Sequence, residues 1–515
     1  MLKQGVLPFR YEGEPTDSGM TALAGLPAYL ELAVVSGITD SIQHHLGVCS
    51  LKEQGWTDNQ IVMSLILLNI AGGDSVDDVR ILEEDAGLVK LLRRIGFSGH
   101  PRKERREQDR RWRKEKKRVI PSPPAVFRYL NEFVNPVEEA KRSMGKAFIP
   151  APNEPLQALR RVNPDLLCFA QRKSPQREAT LEMDASIVVT TRQGALFSYQ
   201  GSQSFQPLSV RWAEMALVVC SEFRDGNVPA AFQNLRVFQE SLAILPPGVV
   251  KVYFKSDTAA YQVDLLRYCA EGQNERFKVI EFAIGADVTE EFKKAVREVK
   301  EKDWHKLKRE VDEEAKETGQ EWAEVCFVPT WAGLSKKGPG YRYLAIRELL
   351  TQKEFPGMEA QLPFPTMNWG EQKYKLFGLV TNRDLPGEQL IWWSRERCGK
   401  GEEMHAIMKH DLAGGHLPSY HFGVNAAWWE VIVLAFNLNS LMKRLALPES
   451  WEPKRLKAIR FSLINLAGRV TIRSRQLYIR LSESHPAYQV LLEVRRRLQA
   501  LWVTSEEAVL APGPP

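Results

Sequence analysis

At 515 residues the chain is too long for one ordinary core, so about two to four domains are expected. Its composition, 44% hydrophobic, 26% charged and 9% aromatic, is that of an ordinary globular protein and excludes a disordered or fibrous one. The net charge of +6 is unevenly spread: residues 102–118 (RKERREQDRRWRKEKKR) hold eleven Lys or Arg against four Asp or Glu, which leaves the rest of the chain slightly negative.

The chain has no apolar run of the roughly 18 residues that a membrane helix needs, and its start (MLKQGVLPFRYEGEP) lacks the layout of a signal peptide. A cytosolic protein without a membrane partner is therefore expected. Cys49, Cys168, Cys220, Cys269, Cys326 and Cys398 include no CxxC pair, which argues against a disulfide framework or zinc knuckle. Most of them are expected to be buried as small apolar residues.

Residues 1–98 read as a helical N-terminal domain: LPAYLELAVVSGI, TDNQIVMSLILLNIAGG and SVDDVRILEEDAGLVKLLRRIG, with Thr57 or Asp58 capping the second helix. Residues 99–155 form a basic segment and connector. In it Arg110, Arg111, Arg113, Lys114, Lys117 and Arg118 are candidate phosphate contacts, and Trp112 is available to stack. The alternative is a solvated helix laced with its own ion pairs. PSPPAVFRYLNEF then opens a helix at the Pro-Pro pair.

From Thr180 the pattern turns to strands: LEMDASIVVTT, ALFSYQGSQSFQPLSV and WAEMALVVCSEF, the last ending in the turn RDGN. Helix PAAFQNLRVFQESLAIL, strand VVKVYF, helix YQVDLLRYCAEG and strand FKVIEFAI follow, so residues 156–286 read as a mixed α/β unit. Residues 287–387 read as an inserted subdomain. It begins with a charged helix, EEFKKAVREVKEKDWHKLKREVDEEAKETG, and continues with the strands WAEVCFVPTW, GYRYLAIREL and KYKLFGLVT. Residues 388–446 return to helices, and residues 447–515 form a basic C-terminal region with Arg473, Arg475, Arg480 and the Arg495, Arg496, Arg497 cluster.

Asp184 lies in the first strand among apolar neighbours, where a carboxylate is costly unless something satisfies it. Asp257 lies just past VVKVYF, where open α/β sheets place functional groups. Each has a bland alternative, a backbone-bonded strand-end Asp and a turn cap. A third acid on a late helix would complete a set able to hold two Mg²⁺ or Mn²⁺ ions, hard cations that take oxygen ligands. The histidines, His405 among them, show no HExxH or Cys/His spacing and are expected at the surface or satisfied.

The segments LPFRYEG, LEMDAS, SDTAAY, GEEMHAIMK and FGVNAAWWEVIVLAFNL together resemble the DDE transposases of bacterial insertion sequences, in the group with a Tyr, Arg, Glu, Lys signature and its IS-thirteen-eighty branch. That resemblance implies an α/β fold with an RNase H-like catalytic core, the catalytic and metal-binding acids Asp184, Asp257 and Glu402, and a strand-rich insertion before the third acid. It implies Mg²⁺, with Mn²⁺ as a substitute, and as partners the terminal inverted repeats, target DNA and a second copy of the chain. Glu402 is preferred to Glu403 because Lys409 follows it by seven residues on one helix face, as the signature requires. The signature's Arg falls on Cys398 and its Tyr on Arg395, so Arg395 or Arg397 is the candidate phosphate contact. The family also suggests Trp331, Trp369, Trp392 and Trp393 as base-stacking platforms, although core packing is the commoner fate of Trp. The implied activity is metal-dependent DNA cleavage and strand transfer. The alternatives are a non-catalytic DNA-binding derivative and a repair or junction nuclease on the same fold.

Overall fold

The computed structural model describes residues 18–49, 55–96, 118–311, 314–329, 331, 341–350, 364–474 and 476–510. The first long strand, β1 (Glu178–Ala185), is buried along its middle on both faces, as a strand covered by helices on each side must be. It pairs antiparallel with β2 (Leu208–Trp212), which pairs antiparallel with β3 (Leu217–Glu222). On its other side β1 pairs parallel with β4 (Lys251–Ser256), and β4 pairs parallel with β5 (Glu281–Ala286). Helices Asn234–Ile244 and Val263–Ala270 make the crossovers that parallel pairing demands. The spatial order is therefore β3-β2-β1-β4-β5.

Two readings of the sequence are corrected. ALFSYQGSQSFQPLSV forms three short strands, Leu196–Phe197, Gln203–Phe205 and β2, because Gly201 turns the chain at φ +75° and Pro207 has no N–H to donate. The first two join Val188–Val189 in a small separate sheet. The charged helix is the second correction. Only Glu290–Arg297 is α-helical, with Phe292 and Val296 buried, and after a short 3-10 turn at Glu301–Asp303 the chain forms the hairpin β6 (His305–Val311) and β7 (Glu314–Val325). Helix-forming Lys and Glu are outweighed by cross-strand contacts, the Lys306–Glu317 ion pair at 2.9 Å and the His305 ring 5.0 Å from that of Trp322.

The remaining strands, β8 (Arg342–Leu349), β9 (Thr366–Trp369) and β10 (Gln372–Thr381), complete the insertion. β10 pairs antiparallel with β5, so the insertion continues the central sheet edge to edge and yields one ten-stranded sheet.

Helix Phe422–Leu441 is apolar all round and buried over almost its whole length against β3 and helix Asp58–Ala71, the expected placement for such a helix. Among the described residues no helix is long and apolar enough to cross a membrane. β3 is an edge strand, and Asn437 closes it: its amide accepts from the Val218 N–H and donates to the Val218 carbonyl, both at 2.8 Å. Trp429 donates its Nε1–H to Ser221 Oγ at 2.8 Å on the same strand.

The N-terminal helices pack onto this frame. Thr57 caps Asp58–Ala71, accepting from Gln60 N–H at 3.2 Å while Gln60 Oε1 accepts from Thr57 N–H at 3.0 Å. Tyr29 donates to Asn439 Oδ1 at 2.9 Å, and strand Met20–Thr21 pairs with Gly468–Arg473 near the other end of the chain. The cysteines differ from expectation: only Cys269 is buried, Cys326 and Cys398 are exposed, and the other three are half-buried.

Candidate active site

Met183 on β1 and Ser256 on β4 are register partners, so the next residues, Asp184 and Asp257, leave the same edge of the sheet side by side. Ser256 Oγ ties the two strand ends together by donating to the Met183 carbonyl at 2.9 Å. Asp257 also caps the short turn Thr258–Ala260, its Oδ1 accepting from Ala259 N–H at 3.0 Å. The turn-cap and functional readings of Asp257 are thus compatible. Gly285 on β5 lets the turn sit close beside it, since a Cβ there would lie a tight 3.0 Å from Thr258 N and 3.3 Å from the Asp257 carbonyl carbon.

Burial, together with the neighbouring Asp184 charge, holds the Asp257 carboxyl above the usual carboxylate range, against the opposing pull of the Ala259 N–H and Arg397. A raised folded-state value means that the native state holds this proton more tightly than the unfolded chain. Its stabilising effect is complete below the ordinary value of 3.8 and is lost as pH rises through the raised one. Asp257→Asn is therefore expected to melt above the unaltered protein at pH 7 and to lose that advantage as the pH falls through the raised value toward the ordinary one. Thermal melts across that range check it; a variant that melts lower at pH 7 would contradict it.

Helix Lys400–Ala406 and the wide turn Ile407–Asp411 bring one helical face to Asp184. A Cβ on Gly401 would lie 4.0 Å from Asp184 Oδ2, and His405 Nε2 lies 3.6 Å from the same oxygen. One turn on, Lys409 is attracted by the Asp184 charge and its Nζ donates to the Ile187 carbonyl at 3.4 Å. Burial lowers the Lys409 ammonium below its usual value, opposed by Asp184. Glu402 and Glu403 are both exposed on this helix. The Glu402 Oε2 accepts from the Gly399 N–H at the helix start, a capping contact. Among the described residues no three of His, Cys, Asp and Glu form a group placed to hold a metal ion.

A family model described as transposase DDE domain group 1 matches residues 18–503. The chain belongs to that transposase family. No curated protein matched it in the comparison. Among solved structures, the cryo-EM structure of the piggyBac transposase synaptic complex with hairpin DNA aligns over 95% of this chain and 82% of that one, at 9% identity and a TM-score of 0.42, a distant likeness.

In this DDE-domain chain the other expected contacts divide. Arg397 stands near enough to Asp257 to draw its carboxyl down. Arg395 donates to Gln320 Oε1 at 2.7 Å and lines an 830 Å³ cleft with Trp392, Trp393, Lys308 and Arg309. Arg118 donates to the Ile120 carbonyl at 3.3 Å. Arg110, Arg111, Arg113, Lys114 and Lys117 lie outside the described residues. Arg495 is paired with Glu31, and Arg496 and Arg497 with Glu493, so the C-terminal cluster is engaged within the chain.

The candidate stacking tryptophans have partners too. Trp392 donates to the Lys308 carbonyl at 2.7 Å, Trp393 lies against Arg383 and Lys255, Trp369 against Arg347, and Trp331 edge-on to Tyr261. Of the histidines, His45 and His421 are paired with Asp165 and Glu139, and His410 and His416 are exposed, as expected. His405 is the exception. It is buried, and neither ring nitrogen has a hydrogen-bond partner. Its nearness to Asp184 arises from tertiary packing, and no residue spacing announces it.

Proposed function

We propose that this chain is a DNA transposase of a bacterial insertion sequence of the IS-thirteen-eighty type, with an RNase H-like core. It cuts phosphodiester bonds at the ends of its element and joins the freed 3′-hydroxyls to target DNA. The observation that carries this reading is the like-charged acid pair, Asp184 and Asp257, at neighbouring strand ends of a chain that belongs to a DDE transposase family. Two carboxylates whose charges oppose each other form a donor pair that a hard divalent cation relieves, and their oxygens suit Mg²⁺ or Mn²⁺.

Asp184, Asp257 and Glu402 would hold the cation, with Glu402 turning from the Gly399 N–H toward the pair. Bound there, the cation supplies Lewis acidity to the phosphate and its leaving oxygen. Lys409 beside Asp184 and Arg397 beside Asp257 offer positive charge to the phosphodiester that lies across the acids. Arg395, Arg118 and the basic segment with Arg110, Arg111, Arg113, Lys114 and Lys117 contact the DNA further out, and two copies pair the terminal inverted repeats.

Glu402→Gln is expected to lower cleavage of a DNA fragment carrying the element end by at least about a hundredfold, because loss of a ligand acid forfeits several kcal/mol of transition-state stabilisation. Glu403→Gln should cleave at nearly the unaltered rate. The reverse ranking in a gel-based cleavage assay would assign the third acid to Glu403 instead.

A further inference from the structure

A buried imidazole with no partner on either nitrogen is an uncommon expense, since buried polar groups are nearly always paired. His405 is 4% exposed, both of its ring nitrogens lack a hydrogen bond, and Nε2 stands 3.6 Å from Asp184 Oδ2, just beyond bonding range. Its helix is drawn close to Asp184 on one continuous face. Gly401, four residues earlier, presents no side chain to the carboxylate, and Lys409, four residues later, is fixed to the Ile187 carbonyl beyond it. The face directed at Asp184 is thus built of a small residue, an imidazole and an ammonium. The only polar group on it without a hydrogen bond is the His405 ring.

We propose that His405 is a positioning residue for Asp184: its Nε2–H donates to Oδ2 once the carboxylate moves inward by a few tenths of an ångström, which leaves Oδ1 as the oxygen that would be free to hold a cation. The inference rests on the acid-pair reading of the site. The bond satisfies the orphaned ring and holds Asp184 in one rotamer, as hydrogen bonds to ligand carboxylates do in metal sites. Asp257 needs no such partner, because the Ala259 N–H already fixes its carboxylate.

Mn²⁺ titration of the full-length protein without DNA, followed by electron paramagnetic resonance, tests the role apart from activity. His405→Ala is expected to weaken Mn²⁺ binding by about 10- to 100-fold, the usual cost of losing a partner of a ligand. His405→Gln, whose amide N–H reaches as far as Nε2, is expected to recover most of it, with both variants melting cooperatively and binding DNA as before. Cleavage should show the same order as a shift in the Mg²⁺ concentration giving half the maximal rate. Mn²⁺ affinity unchanged in His405→Ala would overturn the positioning role alone. So would equal weakening in the Ala and Gln variants, which would mark a packing role. An unaltered protein that binds no Mn²⁺ would overturn the acid-pair reading, and the positioning role with it.

Discussion

Asp184→Asn is expected to lower DNA cleavage by about a thousandfold while leaving DNA binding intact or slightly stronger. Asn keeps the shape of Asp and removes a charge that attracts the cation. Several kcal/mol of Lewis-acid stabilisation corresponds to about that factor, at about 1.4 kcal/mol per tenfold. The substitution should also ease the fold, because the Asp184 charge is one of the two causes that raise the Asp257 carboxyl. A catalytic site commonly carries such a cost to stability. Loss of cleavage with a melting temperature at or above that of the unaltered protein is therefore the diagnostic combination. Loss of both cleavage and folding would mark Asp184 as structural, and retained strand transfer would remove it from the catalytic set.

The second large effect is on stability. Arg142 makes a two-pronged ion pair with Asp225, Nε to Oδ2 at 2.7 Å and Nη2 to Oδ1 at 2.6 Å, and its Nη2 also donates to the Gly194 carbonyl at 2.6 Å. The Asp225 side chain is only 1% exposed, and its carboxyl is raised by burial against the opposing pull of Arg142. Asp225 sits in the RDGN turn after β3 and bridges to Phe205, in the small sheet that holds the chain just beyond Asp184. Arg142→Ala leaves this carboxylate buried and alone, for which about 3–5 kcal/mol is expected at pH 7. The loss should shrink on acidification as Asp225 takes up a proton, and replacing both partners with apolar residues should cost much less than the single change. Chemical denaturation at pH 7 measures it; a shift below about 1 kcal/mol would show that the pair is dispensable.

Much of the central sheet was legible in the sequence, because β4 and β5 are buried strands with apolar runs and the crossover helices are amphipathic. Asp257 stood out as a carboxylate at the end of such a run, and Asp184 as one among apolar neighbours within a strand. The β6–β7 hairpin was not legible. Its residues favour helix locally, and only pairing with β8 and the docking of Trp304 and Leu307 make it a strand pair. That the insertion would extend the core sheet depended on β10 finding the free edge of β5, a contact between residues about a hundred positions apart. Glu402 was chosen by helical phase. Phase put it on one face with Lys409, but side-chain rotamer is not encoded in phase, and the carboxylate bonds to the Gly399 N–H. His405 escaped notice because a lone histidine has no spacing to read.

Incubating the unaltered protein with Mg²⁺, a DNA fragment bearing the inverted repeat that flanks its gene, and a target plasmid tests the central claim most directly. The account predicts cuts at the repeat boundary and repeat ends joined through their 3′-hydroxyls to the plasmid, both abolished by chelation and by Asp184→Asn or Asp257→Asn. Binding of the repeat with no cleavage in either Mg²⁺ or Mn²⁺ would contradict it.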